Sequence, residues 1–262
     1  MLKGKIAVIT GANRGIGLAT AKVFARNDAE IFACARKPSP EFEAELESIK
    51  SDSAGKINPV YFDLTDEGAV KSAVKNIGKT AGKIDILVNN AGVSIERVMG
   101  MTTLDFVRKT MDVNYLAMVQ MSQLVSRYMM AQKSGSIVNV GSVAGMTPEV
   151  GGLAYGSSKA AVIFSTRTMA LELSDFNIRV NSVSPGFIDT DMWAKRSAEI
   201  KSKIAGETLL KRQGTPEEAA NAILFFASDL SSFITGQNLV IDGGRNIRGG
   251  GVMPCYPFCL NG

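Results

Sequence analysis

Histidine is absent from the 262 residues. That absence removes the Ser-His-Asp hydrolases, the imidazole acid of many dehydrogenases and the commonest ligand for zinc. Cysteine is scarce, three in all. Cys34 falls in an apolar strand-like run, and Cys255 and Cys259 lie near the C-terminus, so the odd, split set excludes a disulfide framework and suits a reducing compartment. No apolar run approaches the roughly 20 residues that span a bilayer. The opening MLKGKIAVIT lacks the layout of a signal peptide, so the chain reads as soluble and cytoplasmic, without a membrane partner. Large charge of either sign is missing too. The net +4 is spread along the chain and gives no footprint for nucleic acid.

Short β-rich runs alternate with longer helical patterns. Strands are expected at 5–10, 30–35, 57–64, 83–90, 135–142, 178–186 and 237–244. Helices are expected at 16–27, 41–50, 66–81, 103–132, 153–175 and 216–228. Strands apolar on both faces and separated by helices predict an α/β chain: a doubly wound, mostly parallel seven-stranded sheet with helices on both faces. No linker divides it. Residues 1–248 read as one dinucleotide-binding catalytic domain and 249–262 as an extended Gly/Pro-rich tail. The methionines from Met99 to Met130 gather around the 103–132 helix and read as core or subunit packing.

The first strand runs into TGANRGIG, residues 10–17. Gly11, Gly15 and Gly17 at a strand-to-helix turn let a diphosphate approach backbone N–H groups at a helix N-terminus. Asn13 and Ile16 share that loop. The second strand should then end in an acid if the ligand carried a free ribose 2′-hydroxyl. It ends instead in Arg36-Lys37, and Arg14 adds a cation in the loop. Two guanidinium groups suit a 2′-phosphate, which points to NADP(H). Asp63, with Leu64, closes the third strand where a carboxylate can accept the adenine amine, although a solvated strand-end Asp fits as well. Asn90, Ala91 and Gly92, after the fourth strand, are small or amide residues that let backbone lie along a ribose.

Tyr155 and Lys159 stand four apart in a helical pattern and share a face. A phenol ordinarily titrates near pH 10. A neighbouring ammonium is expected to lower that value and let Tyr155 exchange protons near neutrality. Ser142, at the end of the preceding strand, can hydrogen-bond the same substrate oxygen.

With these motifs in order, the sequence resembles the short-chain dehydrogenase/reductases over roughly residues 3–245. TGANRGIG matches TGxxxGxG, and NNAG at 89–92, Asn114, Ser142, Tyr155-Gly-Ser-Ser-Lys159, Pro185-Gly186 and Thr190 follow in sequence. The resemblance implies Tyr155 as acid/base, Lys159 as its partner and a holder of the nicotinamide ribose, Ser142 as carbonyl orienter and Asn114 as support for a relay water. It also implies that Pro185, Gly186, Ile188 and Thr190 flank the nicotinamide. Within the family the nearest likeness is to the 3-oxoacyl-[acyl-carrier-protein] reductases, through SPGFIDTDM at 184–192 and FITGQNLVIDGG at 233–244. Arg127 stands where such enzymes carry a docking arginine, whereas Leu171-Glu172 lacks the second one. The implied partner is a small-molecule or acyl-carrier-bound carbonyl substrate, and the implied assembly a homotetramer or homodimer. NADP-linked oxidation of a sugar or other secondary alcohol, and a non-catalytic NADP-binding regulator, remain open. The loop at about 187–212, with Met192 and Trp193, is expected to cover the substrate.

Overall fold

Strand β1 (Ile6–Thr10) is buried along its whole length and sorts its side chains by parity. Ala7 and Ile9 enter one core with Phe24, Phe42 and Phe226. Ile6 and Val8 enter a second, with Val74, Ile77 and Met121. A strand that feeds two cores must be covered on both faces, which is why its run is continuously apolar. The computed structural model describes residues 1–52, 55–190 and 197–247.

Six further strands complete the sheet: β2 (Glu30–Ala35), β3 (Ile57–Tyr61), β4 (Ile86–Asn89), β5 (Gly135–Val140), β6 (Ile178–Pro185) and β7 (Asn238–Ile241). Every pairing is parallel, in the order β3-β2-β1-β4-β5-β6-β7. One core takes side chains from helices α1 (Gly15–Arg26), α2 (Pro40–Asp52) and α8 (Pro216–Ala227). The other takes them from α3 (Glu67–Ala81), α5 (Ala117–Gln132) and α6 (Leu153–Leu173). The chain turns outward in opposite directions from β1 and β4. The crevice at their carboxyl ends is the switch point where doubly wound sheets bind ligands.

Helix ends follow local chemistry. Asp66 caps α3 by accepting from Ala69 N–H, and Gly82 stops it in the left-handed region. Thr215 and Glu218 form a reciprocal capping box at α8, with Pro216 at its first turn.

Two expectations need correction. The single helix expected over 103–132 is α4 (Leu104–Met111) and α5, joined by a π-helical turn at Asp112–Leu116. One extra residue in a turn leaves the apolar pattern almost unbroken, so periodicity passes straight through it. The segment read as loop at 187–212 holds helix α7 (Ala198–Glu207), capped by Ser197, whose hydroxyl accepts from Ile200 N–H. The methionines divide: Met118, Met121 and Met129 are buried, whereas Met99 and Met101 are exposed. Strands β3 to β7 also end one to three residues before the expected positions, where Asp63, Asn90, Ser142, Gly186 and Gly244 already belong to the loops that follow.

Candidate active site

The carboxyl edge of the sheet is tied together by polar side chains. Buried Thr10 accepts through Oγ1 from the backbone N–H of Asn90 and Ala91, at 3.0 and 3.1 Å. Asn90 returns the contact, its side-chain amide donating to the carbonyls of Thr10 and Gly11 at 3.0 and 3.1 Å. The glycine loop and the segment after β4 are therefore one unit. Its close fit explains two glycines. A Cβ on Gly17 would sit 2.1 Å from the Gly11 carbonyl oxygen, and one on Gly11, which has φ +64°, would sit 2.9 Å from Ala91 Cα.

Gly15 is a different case. Its φ of +54° favours glycine, but a Cβ there would meet only Thr190, at 3.5 Å, so the space before the helix is open. Helix α1 starts at this opening. No side chain caps it, Arg14 is its extended N-cap residue, and no acid lies in its first turn. A helix N-terminus left in this condition fits a diphosphate. Asn13, Arg14 and Arg36 are exposed at the rim, and Ile16 is half-buried. Neither arginine has a salt-bridge partner among the described residues. Arg36 is close enough to Asp63 to help hold its carboxyl below the usual range, although two hydrogen bonds from Thr65 contribute more. Leu64 lines a small cavity with Thr10, Asn89 and Ala91.

A second polar cluster supports the chemical end. Asn114 sits in the π-helical turn and is 2% exposed. Its Oδ1 accepts from Val93 N–H at 2.8 Å, and its Nδ2 donates to the Val93 carbonyl and to Ser158 Oγ, each at 3.0 Å. Ser158 in turn donates to the Tyr155 carbonyl at 2.7 Å. The irregular turn thus aims one amide at both the post-β4 segment and the second turn of α6. Ser158 had no assigned role in the sequence reading. The second serine of YGSSK was the available signal.

Ser142 lies two residues past β5, is largely buried, and caps the 3-10 turn Val143–Gly145 by accepting from Ala144 N–H at 3.2 Å. Its hydroxyl also lies close enough to the Tyr155 phenol to favour that group's ionised form. Lys159 is 4% exposed, and its ammonium donates to the Val140 carbonyl at 2.7 Å. Its Nζ lies 5.9 Å from the Tyr155 ring centroid. Ser142, Tyr155 and Lys159 therefore meet at one place, beside Gly92 and Asn114. Pro185, Gly186 and Ile188 close this end at the tip of β6, and Thr190 donates to the Ile188 carbonyl at 3.5 Å.

The expected depression of the phenol is overturned. Tyr155 is partly exposed as a side chain, but protein crowds its hydroxyl. That desolvation raises its pKa above the ordinary 10, against the lowering influence of nearby Ser142, and Glu149 raises it further. Burial also pulls Lys159 down, from 10.5 to about 8. The ammonium spends its contact on the Val140 carbonyl, and dehydration outweighs its reach to the phenol.

Met192, Trp193 and the tail from 249 onward lie outside the described residues. Apolar side chains nevertheless stand exposed on the two segments that lead to Asn114 and to Tyr155, which form two lips. Ile95, Val98, Met99 and Met101 stand exposed on one lip, and Met146, Val150 and Leu153 on the other. The two lips touch where Arg97 N–H donates to the Gly151 carbonyl at 3.1 Å. No helix among the described residues is long and apolar enough to cross a membrane.

Comparison with known proteins gives a consistent result. Residues 11–246 match a protein family described as enoyl-(acyl carrier protein) reductase. A 3-oxoacyl-[acyl-carrier-protein] reductase of Thermotoga maritima is 40% identical over 246 residues, which is 93% of this chain and 98% of the relative. A 3alpha-hydroxysteroid dehydrogenase of Mediterraneibacter gnavus is 36% identical over 245 residues, covering 93% and 97%. The crystal structure of a 3-oxoacyl-[acyl-carrier protein] reductase with bound NAD from Brucella melitensis superposes with a TM-score of 0.85 at 31% identity, covering 92% of this chain and 91% of that one.

Proposed function

Because this chain belongs to the short-chain dehydrogenase/reductase family, we propose that it is an NADPH-dependent ketone reductase whose preferred substrates are 3-oxoacyl thioesters. The observation that carries the reading is the meeting of Ser142, Tyr155 and Lys159 at the sheet's carboxyl edge, beside an uncapped helix N-terminus. The dinucleotide, when bound, supplies the hydride.

The chain's own residues do the rest. Gly15 and the N–H groups opening α1 hold the diphosphate. Arg14 and Arg36 hold the 2′-phosphate, and Asp63 and Leu64 border the adenine. Asn90, Ala91 and Gly92 lie along the ribose, while Pro185, Gly186, Ile188 and Thr190 flank the nicotinamide. Ser142 positions the carbonyl oxygen and Tyr155 gives it a proton. A hydroxyl pushed above 10 is protonated throughout the physiological range, which suits a donor and so the reductive direction. Lys159 and Asn114 feed protons from behind Tyr155 and keep it in place. The apolar lips accept the acyl chain.

Exposed Phe164 and Leu171, seven residues apart on α6, support a second copy packing there, as part of a homotetramer. Arg127 is exposed on α5 and open to an acidic carrier. The test is a screen of NADPH oxidation against acetoacetyl thioesters, keto-sugars, ketosteroids and diketones. Preference for the thioester by tenfold or more in kcat/KM is expected. A preference for keto-sugars or steroids would replace the substrate class, and no turnover with any ketone would remove the reductase reading.

A further inference from the structure

Strand β7 and the segment after it touch one loop at three points. That loop, residues 146–152, carries the chain from the Ser142 turn to the start of α6, and hence from one candidate catalytic group to the next. Asn238 Nδ2 lies 3.2 Å from Met146 Sδ. Thr147 Oγ1 donates to Asn246 Oδ1 at 3.2 Å. Arg245 Nη1 donates to Glu149 Oε1 at 2.8 Å. The same guanidinium reaches Glu207 Oε2, at 3.0 Å, on the last residue of α7.

The turn that presents Arg245 is firmly built. The Asp242 carboxylate accepts from the N–H groups of Gly244 and Asn246, at 2.8 and 2.7 Å. Gly243 and Gly244 both have positive φ, and the Gly243 carbonyl accepts from Leu209 and Leu210 N–H at 2.8 and 3.2 Å. The end of α7 is thus fastened to the turn that carries Arg245. An arginine is suited to this junction, because its rigid fork bonds two carboxylates at fixed angles. The Arg245 side chain is 29% exposed and its partners Glu149 and Glu207 are 44% and 41% exposed, so the guanidinium is partly shielded while the carboxylates face water.

We propose that Arg245 is a positioning residue for carbonyl reduction: bridging Glu149 and Glu207, it holds the loop between Ser142 and Tyr155 against α7 and so fixes one wall of the substrate mouth. The proposal rests on the reductase reading above. Arg245 does not touch the reacting atoms. Its effect is to keep the apolar lip at Met146 and Val150 at a constant distance from α7, so that substrate enters a formed opening and does not have to order one.

The test uses the full chain and the variants R245M, R245K, E149Q and E207Q, with NADPH and acetoacetyl-N-acetylcysteamine as the probe. R245M should raise KM for the thioester roughly three- to tenfold, with kcat within about twofold and the NADPH dissociation constant unchanged. R245K should recover part of the loss, and E149Q and E207Q should each lose part. Added salt should raise KM in the parent chain and not in R245M, because only the parent has the ion cluster to screen. Amide exchange of the unliganded proteins forms a separate arm. In R245M, peptides covering 146–152 and 198–207 should exchange about fivefold faster, with β1 and β2 unchanged. Unaltered KM together with unaltered exchange in those peptides would overturn the proposal, as would a loss that falls equally on kcat, NADPH affinity and thermal midpoint. If the parent chain does not reduce the probe, the thioester reading fails by itself, and the exchange arm alone decides for or against the clamp.

Discussion

Lys159→Met should stabilise the protein while it removes activity. Lys159 is 4% exposed, and burial brings its ammonium from 10.5 to about 8. That difference amounts to about 3 kcal/mol of folding free energy opposing the folded state at pH 7, where the group is charged in both states. Methionine fills a similar volume without charge and removes this penalty. It also strands the Val140 carbonyl, which now accepts from Nζ at 2.7 Å, at a cost of ~1–2 kcal/mol. The net expectation is a variant more stable by about 1–2 kcal/mol at pH 7. The pH dependence fixes the sign. The folded lysine loses its proton near 8 and the unfolded one near 10.5, so between those values the unfolded chain binds more protons and the parent gains stability as pH rises. Below about 8 the penalty is present in full. The advantage of the variant should therefore be greatest at pH 6–7 and shrink by pH 9.5, below the range where Tyr155 begins to ionise. Urea unfolding of both proteins at pH 6.5, 8 and 9.5 measures this. A variant less stable than the parent at pH 6.5, or a difference that does not change with pH, would refute the reasoning.

Arg36→Asp should weaken NADPH binding roughly ten- to a hundredfold, the worth of a charge-assisted contact to phosphate, while NADH binding improves; paired fluorescence titrations of the two cofactors check it. Gly17→Ala places a methyl group 2.1 Å from the Gly11 carbonyl oxygen and 2.4 Å from the Asn90 amide nitrogen. It should cost about 2–3 kcal/mol in urea unfolding and abolish cofactor binding, because the two neighbours join the glycine loop to the segment after β4, and the dinucleotide needs both. Ketone reduction should decline as pH rises through about 8, where Lys159 gives up its charge, well before Tyr155 ionises. A rate profile flat to pH 10 would contradict that assignment.

Much of the scaffold was readable from residue pattern, because β1, β2 and β4 are buried on both faces and carry nearly unbroken apolar runs, while β5 and β6 are equally buried but interleave serine and asparagine. The glycine loop was readable as well, since its positive φ values and tight approaches leave few other residues possible. The π-helical turn around Asn114 was not, because one extra residue hardly disturbs helical spacing. Helix α7 was missed for the opposite reason. Its residues, AEIKSKIAGE, bury no side chain fully, so the apolar stripe that marks other helices is weak. The environment of Tyr155 and Lys159 was beyond pattern altogether. Four-residue spacing puts the two groups on one face, but how much water each retains depends on how β5, the post-β4 segment and the 146–152 loop pack around them, which spacing does not report. The Arg245 bridge belongs to the same class, since it joins residues 149, 207 and 245 through turns whose geometry only the assembled fold supplies.

The most direct test of the account is Tyr155→Phe, measured for NADPH binding and for acetoacetyl thioester reduction in the same preparation. The expected result is an NADPH dissociation constant within about twofold of the parent and a kcat lower by about a thousandfold or more, the worth of a positioned proton donor. Turnover retained within tenfold of the parent, with cofactor bound normally, would contradict it.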